Sequence, residues 1–289
     1  MSIAEIPLGF ECAGERLLGV VAHPLESGRT AKLGVVVVVG GPQYRIGSHR
    51  QFLLLARRAA EAGFATLRFD YRGMGDSDGA PRSFEDIDED IDAAIGALCG
   101  VCPQVEKVAL WGLCDGASAA LLYCQRRHDP RVAALCLLNP WARSETTLAR
   151  ARVRHYYPGR LLERDFWANL LRGRARLGSA LAELLRNWRL ARTVAPTGDQ
   201  ALRFRAGMAA GMRGFAGPIL MVLSGRDATA QEFLECARTD AEWAGVLGSP
   251  HLTRFDLPEA DHTFSDLLSR GAVDGATVEW LRSQTNSRP

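Results

Sequence analysis

The sequence predicts an α/β fold, with a doubly wound, mostly parallel sheet covered by helices and a helical insertion over one edge. Three observations carry this. Short β-branched runs, led by five consecutive valines at Val35–Val39, end abruptly in turn residues such as Gly40-Gly41-Pro42. Such dense runs suit strands buried on both faces, the habit of parallel sheets. These runs alternate along the chain with helical patterns, which calls for right-handed crossovers. One long segment then breaks the alternation.

In chain order, Leu8–Ala22 reads as an antiparallel hairpin at the sheet edge, turning at Cys12-Ala13-Gly14-Glu15. Strands follow at Leu33–Val39, Ala65–Phe69, Lys107–Trp111, Ala134–Leu138, Pro218–Leu223 and His251–Leu257. Helical spacing occupies His49–Ala62, Phe84–Leu98, Gly116–Arg127, Ala230–Ala244 and Thr263–Arg282. Residues 1–142 and 214–289 therefore form the core, and residues 143–213 an inserted lid with helical stretches around Glu163–Leu171 and Ser179–Arg192. That insertion has fifteen arginines, no lysine and five acidic residues, a net +10 that leaves −8 for the rest of a chain totalling +2. A positive cover on a negative body is expected.

With 289 residues, 47% hydrophobic and 24% charged, the chain can bury a large core, which excludes a small peptide scaffold and wholesale disorder. Near-balanced charge gives no global case for nucleic-acid binding. The longest apolar run, Leu33–Val39, is too short to cross a bilayer, and Met1–Phe10 lacks the features of a secretory signal, so a cytoplasmic location is expected. Seven cysteines are an odd number in a chain that needs no staples, which argues against a disulfide framework. Cys99 and Cys102 have C-x-x-C spacing without a second ligand pair in register, and read as structural thiols. No metal or cofactor is called for.

The chemistry centres on Gly112-Leu113-Cys114-Asp115-Gly116, which follows a buried strand and opens a helix rich in small residues. This is the G-x-nucleophile-x-G elbow with cysteine at its apex: a sharp turn exposes the nucleophile, and bulky flanking residues would not fit. At a helix start the thiolate also meets the positive end of the helix dipole. An elbow needs an acid and then a base further along the chain. Asp227 follows the strand ending at Leu223, and His262 follows the strand ending at Leu257, so both lie at carboxyl ends of strands. His262 would take the Cys114 proton or pair with the thiolate, and Asp227 would fix its tautomer. Asp227 also suits a helix cap, and Asp261 competes for the acid role.

Oxyanion donors are expected from the backbone N–H of Asp115 and of Gly41, with Gln43 in reserve because Pro42 has no N–H. The Asp115 carboxylate is awkward here, since its charge opposes a thiolate at Cys114 unless it turns away or pairs with an arginine. Gln43 and His49, near the first strand-end loop, are candidates for substrate binding.

Taken in order, Val39-Gly40-Gly41-Pro42, Asp70-Tyr71-Arg72-Gly73-Met74-Gly75-Asp76-Ser77, the Cys114 elbow, Gly225-Arg226-Asp227 and Asp261-His262 resemble the α/β-hydrolase superfamily over nearly the whole chain. Within it, Gly41-Pro42-Gln43-Tyr44-Arg45 and Gly47-Ser48-His49-Arg50, with the Leu-Cys-Asp elbow, resemble the first of two hydrolases associated with the exosortase A system. That family accompanies bacterial exopolysaccharide and protein-sorting loci. The resemblance implies Cys114 as nucleophile, Asp227 as acid, His262 as base, and Gly41 with Asp115 as oxyanion donors. Val39 stands where many relatives have histidine. Cysteine in place of serine is similar to dienelactone hydrolases and polyhydroxyalkanoate synthases, so hydrolysis and acyl transfer both stay open.

The expected activity is cleavage of an ester or thioester through an acyl-enzyme. An acyltransferase on the same residues and a non-catalytic binding module are the alternatives. The arginine-rich insertion favours an anionic or carrier-bound small-molecule acyl substrate. The Asp70–Ser77 stretch reads as structural, and neither the acyl group nor the oligomeric state is legible.

Overall fold

A computed structural model of the chain describes residues 2–26, 28, 30–41, 43–142 and 199–286. Strands β1 (Ile3–Cys12) and β2 (Glu15–Pro24) form an antiparallel hairpin whose two-residue turn, Ala13-Gly14, has positive φ at both positions, 50° and 84°. That is the backbone twist a tight hairpin requires. The remaining strands are β3 (Leu33–Val38), β4 (Thr66–Asp70), β5 (Lys107–Leu113), β6 (Val132–Leu138), β7 (Ile219–Ser224) and β8 (Leu252–Leu257). They form one eight-stranded sheet in the order β1-β2-β4-β3-β5-β6-β7-β8, in which β3 to β8 run parallel and the hairpin closes one edge.

The valine run works on both faces at once. Val36 and Val38 enter a core with Leu67, Leu110 and Leu137, while Val35, Val37 and Val39 enter the opposite core with Phe52, Trp111 and Leu281. Successive side chains on a strand alternate sides, so an unbroken apolar run fits only a strand covered twice. Helices α1 (Gln51–Glu61), α2 (Asp88–Val101), α3 (Asp115–Arg127), α4 (Asp199–Gly214), α5 (Ala228–Thr239) and α6 (Leu267–Asn286) supply that cover.

Three of the helix boundaries that differ from the sequence expectation are set by side-chain caps. Asp86 and Ile87 interrupt the first turn of the second helix: Ser83 caps a short 3-10 turn at Phe84–Asp86, and α2 starts afresh at Asp88. Asp240 ends α5 by capping a second 3-10 turn, which places Trp243 edge-on against Phe233 at 5.1 Å. The last helix begins at Leu267 rather than Thr263, because the Asp266 carboxylate accepts the N–H groups of Leu268 and Ser269 at 2.9 Å. Asx capping of this kind marks a helix start that apolar spacing alone does not locate.

Residues 143–198, most of the expected lid, lie outside the described residues. The end of that arginine-rich segment is α4, which packs on α3 and sends Met208, Ala209 and Met212 into the larger core. Among the described residues no helix is long and apolar enough to cross a membrane. All seven cysteines are free, and burial raises the Cys99 and Cys102 thiol pKa values, the opposite of a reactive C-x-x-C pair.

On α6, Asp274 is buried beside Trp111 and Gln51. Burial raises its pKa to about 6, against the opposing charges of Arg58 and Arg270. Below the pKa of the unfolded chain the carboxyl is neutral in both states and costs nothing. As pH rises from the unfolded value toward about 6 the unfolded chain ionises while the folded one resists, so stability falls by up to about 3 kcal/mol and stays lower above about 6. Asp274→Asn is therefore expected to stabilise the protein at about pH 7.5 and to leave it nearly unchanged at about pH 3. Urea unfolding midpoints at the two pH values check this, and an equal shift at both would exclude it.

Candidate active site

Strand β5 occupies the middle of the sheet and ends at Leu113; Cys114 follows with φ 60° and ψ −126°, a conformation few residues other than glycine adopt. Such a turn costs on the order of 1–3 kcal/mol and persists only where its surroundings force it. They do so here. Cys114 N–H donates to Leu138 O at 2.9 Å, its carbonyl accepts from Ala117, Ser118 and Trp141, and helix α3 starts at the next residue. A Cβ on Gly112 would stand 2.5 Å from Gly116 O, and one on Gly116 would overlap the Val38 carbonyl. Glycine at both flanks is thus required by close approach of three backbone segments. The turn leaves the Cys114 side chain, 9% exposed, at the carboxyl edge of the sheet.

Asp227 and His262 reach the same edge from β7 and β8. His262 Nδ1 and Asp227 Oδ2 are 2.8 Å apart, and the Asp227 carboxylate also accepts the N–H groups of Thr229 and Ala230 at 3.0 and 3.1 Å. Asp227 is both the cap of α5 and the partner of the imidazole, so the two readings of this residue coexist. Burial alone would lower the His262 pKa. Hydrogen bonding to Asp227 and to the Cys114 side chain, with the charges of both, instead raises it to about 10. Asp261 is turned elsewhere: its carboxylate accepts from Thr263 N, Ser265 N and Ser265 Oγ.

Neither Gly41 nor Asp115 gives its N–H to a backbone carbonyl in the described loops. The Asp115 carboxyl lies against Gly40, with Oδ1 enclosed and, among the described residues, without a hydrogen-bond partner. Burial raises the pKa of this carboxyl, while the backbone N–H groups of Gly41, Asp115 and Gly116 and the charge of His262 oppose the rise. Gln43 is turned into its own loop, its Oε1 accepting from Ser48 N at 3.0 Å. His49, exposed, lies 3.0 Å from Thr263 Oγ1 through Nε2 and so meets the loop that bears His262. The Asp70–Ser77 stretch ties loops together: the buried Asp70 accepts from Arg45 N at 2.6 Å and Asp76 N at 3.1 Å and pairs with the Arg45 guanidinium.

The family model described as the alpha/beta hydrolase family matches residues 35–273. The chain belongs to the alpha/beta hydrolase family. Its eight-stranded, mostly parallel sheet flanked by helices is an alpha/beta hydrolase fold. This hydrolase-family chain is similar in fold to the esterase Pf2001 of Pyrococcus furiosus, at 15% identity and TM-score 0.64 over 97% of this chain and 93% of that one. Est1E from Butyrivibrio proteoclasticus, solved with ferulic acid bound, aligns at 15% identity and TM-score 0.61 over 95% and 99% of the two chains. The enol-lactonase from Burkholderia xenovorans aligns at 16% identity and TM-score 0.56 over 95% and 100%. No curated protein matches in sequence.

Sequence reasoning missed Asn139. Fully buried just beyond β6, it donates through Nδ2 to Ser224 Oγ at 2.9 Å and to His262 O at 3.0 Å, and accepts from Ser224 N at 2.8 Å. Ser224 Oγ in turn donates to Asp261 O at 2.8 Å. The hydrolase thus clamps its histidine loop to two strand ends through one amide. A polar residue closing the apolar run Val132–Leu138 was the available signal. Asn139→Ala should leave buried partners unpaired and lower stability by about 2 kcal/mol. Thermal unfolding and the pH-dependence of the imidazole check the substitution; unchanged values in both would remove the bracing role.

Proposed function

We propose that the protein hydrolyses a carboxylic ester or thioester through an acyl-enzyme on Cys114. The observation that carries this reading is geometric: Asp227 Oδ2 holds His262 Nδ1 at 2.8 Å at the strand-end edge where the strained elbow presents Cys114. In this reading His262 takes the Cys114 proton as the sulfur engages the substrate. Cys114 Sγ attacks the carbonyl carbon, and the oxygen that becomes negative is received by the N–H groups of Gly41 and Asp115. The imidazolium of His262 gives its Nε2 proton to the departing alkoxide or thiolate as that bond breaks. Water then attacks the acyl thioester while His262 takes its proton, and the tetrahedral adduct collapses to the free acid and the Cys114 thiolate. Asp227, on Nδ1, keeps Nε2 aimed at this chemistry.

The esterase and lactonase named among the structural relatives support a carbonyl substrate. The Gly41–Arg50 segment supports a place beside bacterial exopolysaccharide loci through its resemblance to the exosortase-associated hydrolases. An anionic acyl group is supported only by the arginine surplus of residues 143–213.

Intact mass spectrometry with activated esters and acyl thioesters tests the reaction class. The expected result is an acyl adduct that maps to Cys114 and decays to free acid. Persistent absence of both adduct and free acid across the panel would remove the reading.

A further inference from the structure

The sheet ends at β8, and the outer edge of that strand is open. Among the described residues β8 pairs only with β7. The carbonyls of His251 and Leu257 accept from Ile219 N and Gly225 N, so the odd-numbered residues of β8 turn their main-chain groups inward. Alternation along the strand then turns the N–H and C=O groups of Arg254 and Asp256 outward, and among the described residues nothing receives either N–H. The open stretch is bounded at both ends: Leu252 N–H is already given to Ser249 O, and Pro258 has no N–H. Arg254 and Asp256 also carry the charges of this edge, their side chains 39% and 49% exposed and 2.9 Å apart. The opposite edge of the sheet, β1, is interrupted in its middle by Pro7, which has no N–H to give.

We propose that β8 is the seam of a homodimer, pairing antiparallel with β8 of a second copy about a two-fold axis beside Phe255. Unpaired strand edges are templates for pairing, and a closed pair of identical edges is two-fold symmetric and so antiparallel. Centring the axis on Phe255 sets Arg254 of each copy opposite Asp256 of the other. Both residues face outward, so each opposed pair exchanges two main-chain hydrogen bonds, four in all. Opposed side chains lie on one face with Cβ atoms about 5 Å apart, and the two Arg254–Asp256 pairs therefore close into a ring of alternating charge. Moving the axis to residue 254 or 256 would instead oppose like charges, which is destabilising. Moving it by half a step would mate outward-facing groups with inward-facing ones. One register thus satisfies both the main chain and the charges. It points the carboxyl ends of the two sheets in opposite directions, so neither copy covers the Cys114 elbow of the other, and the seam holds whatever chemistry Cys114 performs.

Sedimentation velocity of the full chain across the micromolar range should show a monomer–dimer equilibrium. Arg254→Asp leaves acid opposite acid, and Asp256→Arg leaves base opposite base; each should raise the dimer dissociation constant by about tenfold or more. An equimolar mixture of the two variants restores opposite charges at both places and should form a heterodimer about as readily as the wild type pairs with itself. A chain carrying both exchanges should likewise recover its homodimer, and it serves if either single variant fails to fold, as circular dichroism would reveal. A wild type that stays monomeric throughout the range, or a dimer indifferent to each single exchange, would overturn the proposal. So would folded variants that remain apart when mixed.

Discussion

Cys114→Ala is expected to reduce turnover of activated esters by at least about 10³-fold and to abolish the acyl adduct, while leaving the fold intact. The fold should survive because the elbow is held by the Cys114 backbone and by Gly112 and Gly116, not by the sulfur. The Cys114 backbone already has positive φ, and alanine carries the same Cβ as cysteine, so the substitution adds no new backbone strain. The measurement pairs circular dichroism with intact mass after ester treatment. A folded variant that still accumulates an acyl group would assign the nucleophile to another residue and would dismantle the mechanism.

Asp227→Asn should lower kcat by about 10²- to 10⁴-fold with only a small change in stability. The asymmetry follows from the two duties of this side chain. Its cap bonds fall on both oxygens, Thr229 N–H on Oδ1 and Ala230 N–H on Oδ2, so asparagine keeps the first and loses the second, a cost of about 1 kcal/mol. Its bond to His262 Nδ1 requires a negative acceptor, and an amide NH2 there would turn Nδ1 into an acceptor and leave Nε2 protonated toward Cys114 in the neutral ring. Without the carboxylate charge, the imidazole pKa should fall from about 10 toward its ordinary value, which NMR titration of the ring would follow. Wild-type kcat in the asparagine variant would reassign the acid. Asp261 would be a poor replacement, since its carboxylate is engaged by Thr263 and Ser265.

Much of this architecture was legible because it depends on local rules. The valine run reports double burial through strand periodicity alone, and the glycines of the elbow report backbone crowding through spacing alone. Cys114, Asp227 and His262 could be aligned because each follows the end of a strand in a parallel sheet, where carboxyl ends share one edge. What escaped was non-local. The Asn139 amide bonds Ser224, 85 positions away, and no pattern within either strand announces that pair. The start of α6 depends on which of Asp261 and Asp266 caps the helix, and apolar spacing does not distinguish them. Asp115 was recognisable as an awkward charge, but its resting place against Gly40 is set by how two loops meet.

The strained apex at Cys114 has a consequence for exchange of its side chain. Because its geometry is imposed entirely by neighbouring main chain, oxygen and sulfur can be exchanged there by one codon step without rebuilding the scaffold. Cys114→Ser is therefore expected to fold as the parent does, with a hard atom in place of a soft one at the same Cβ.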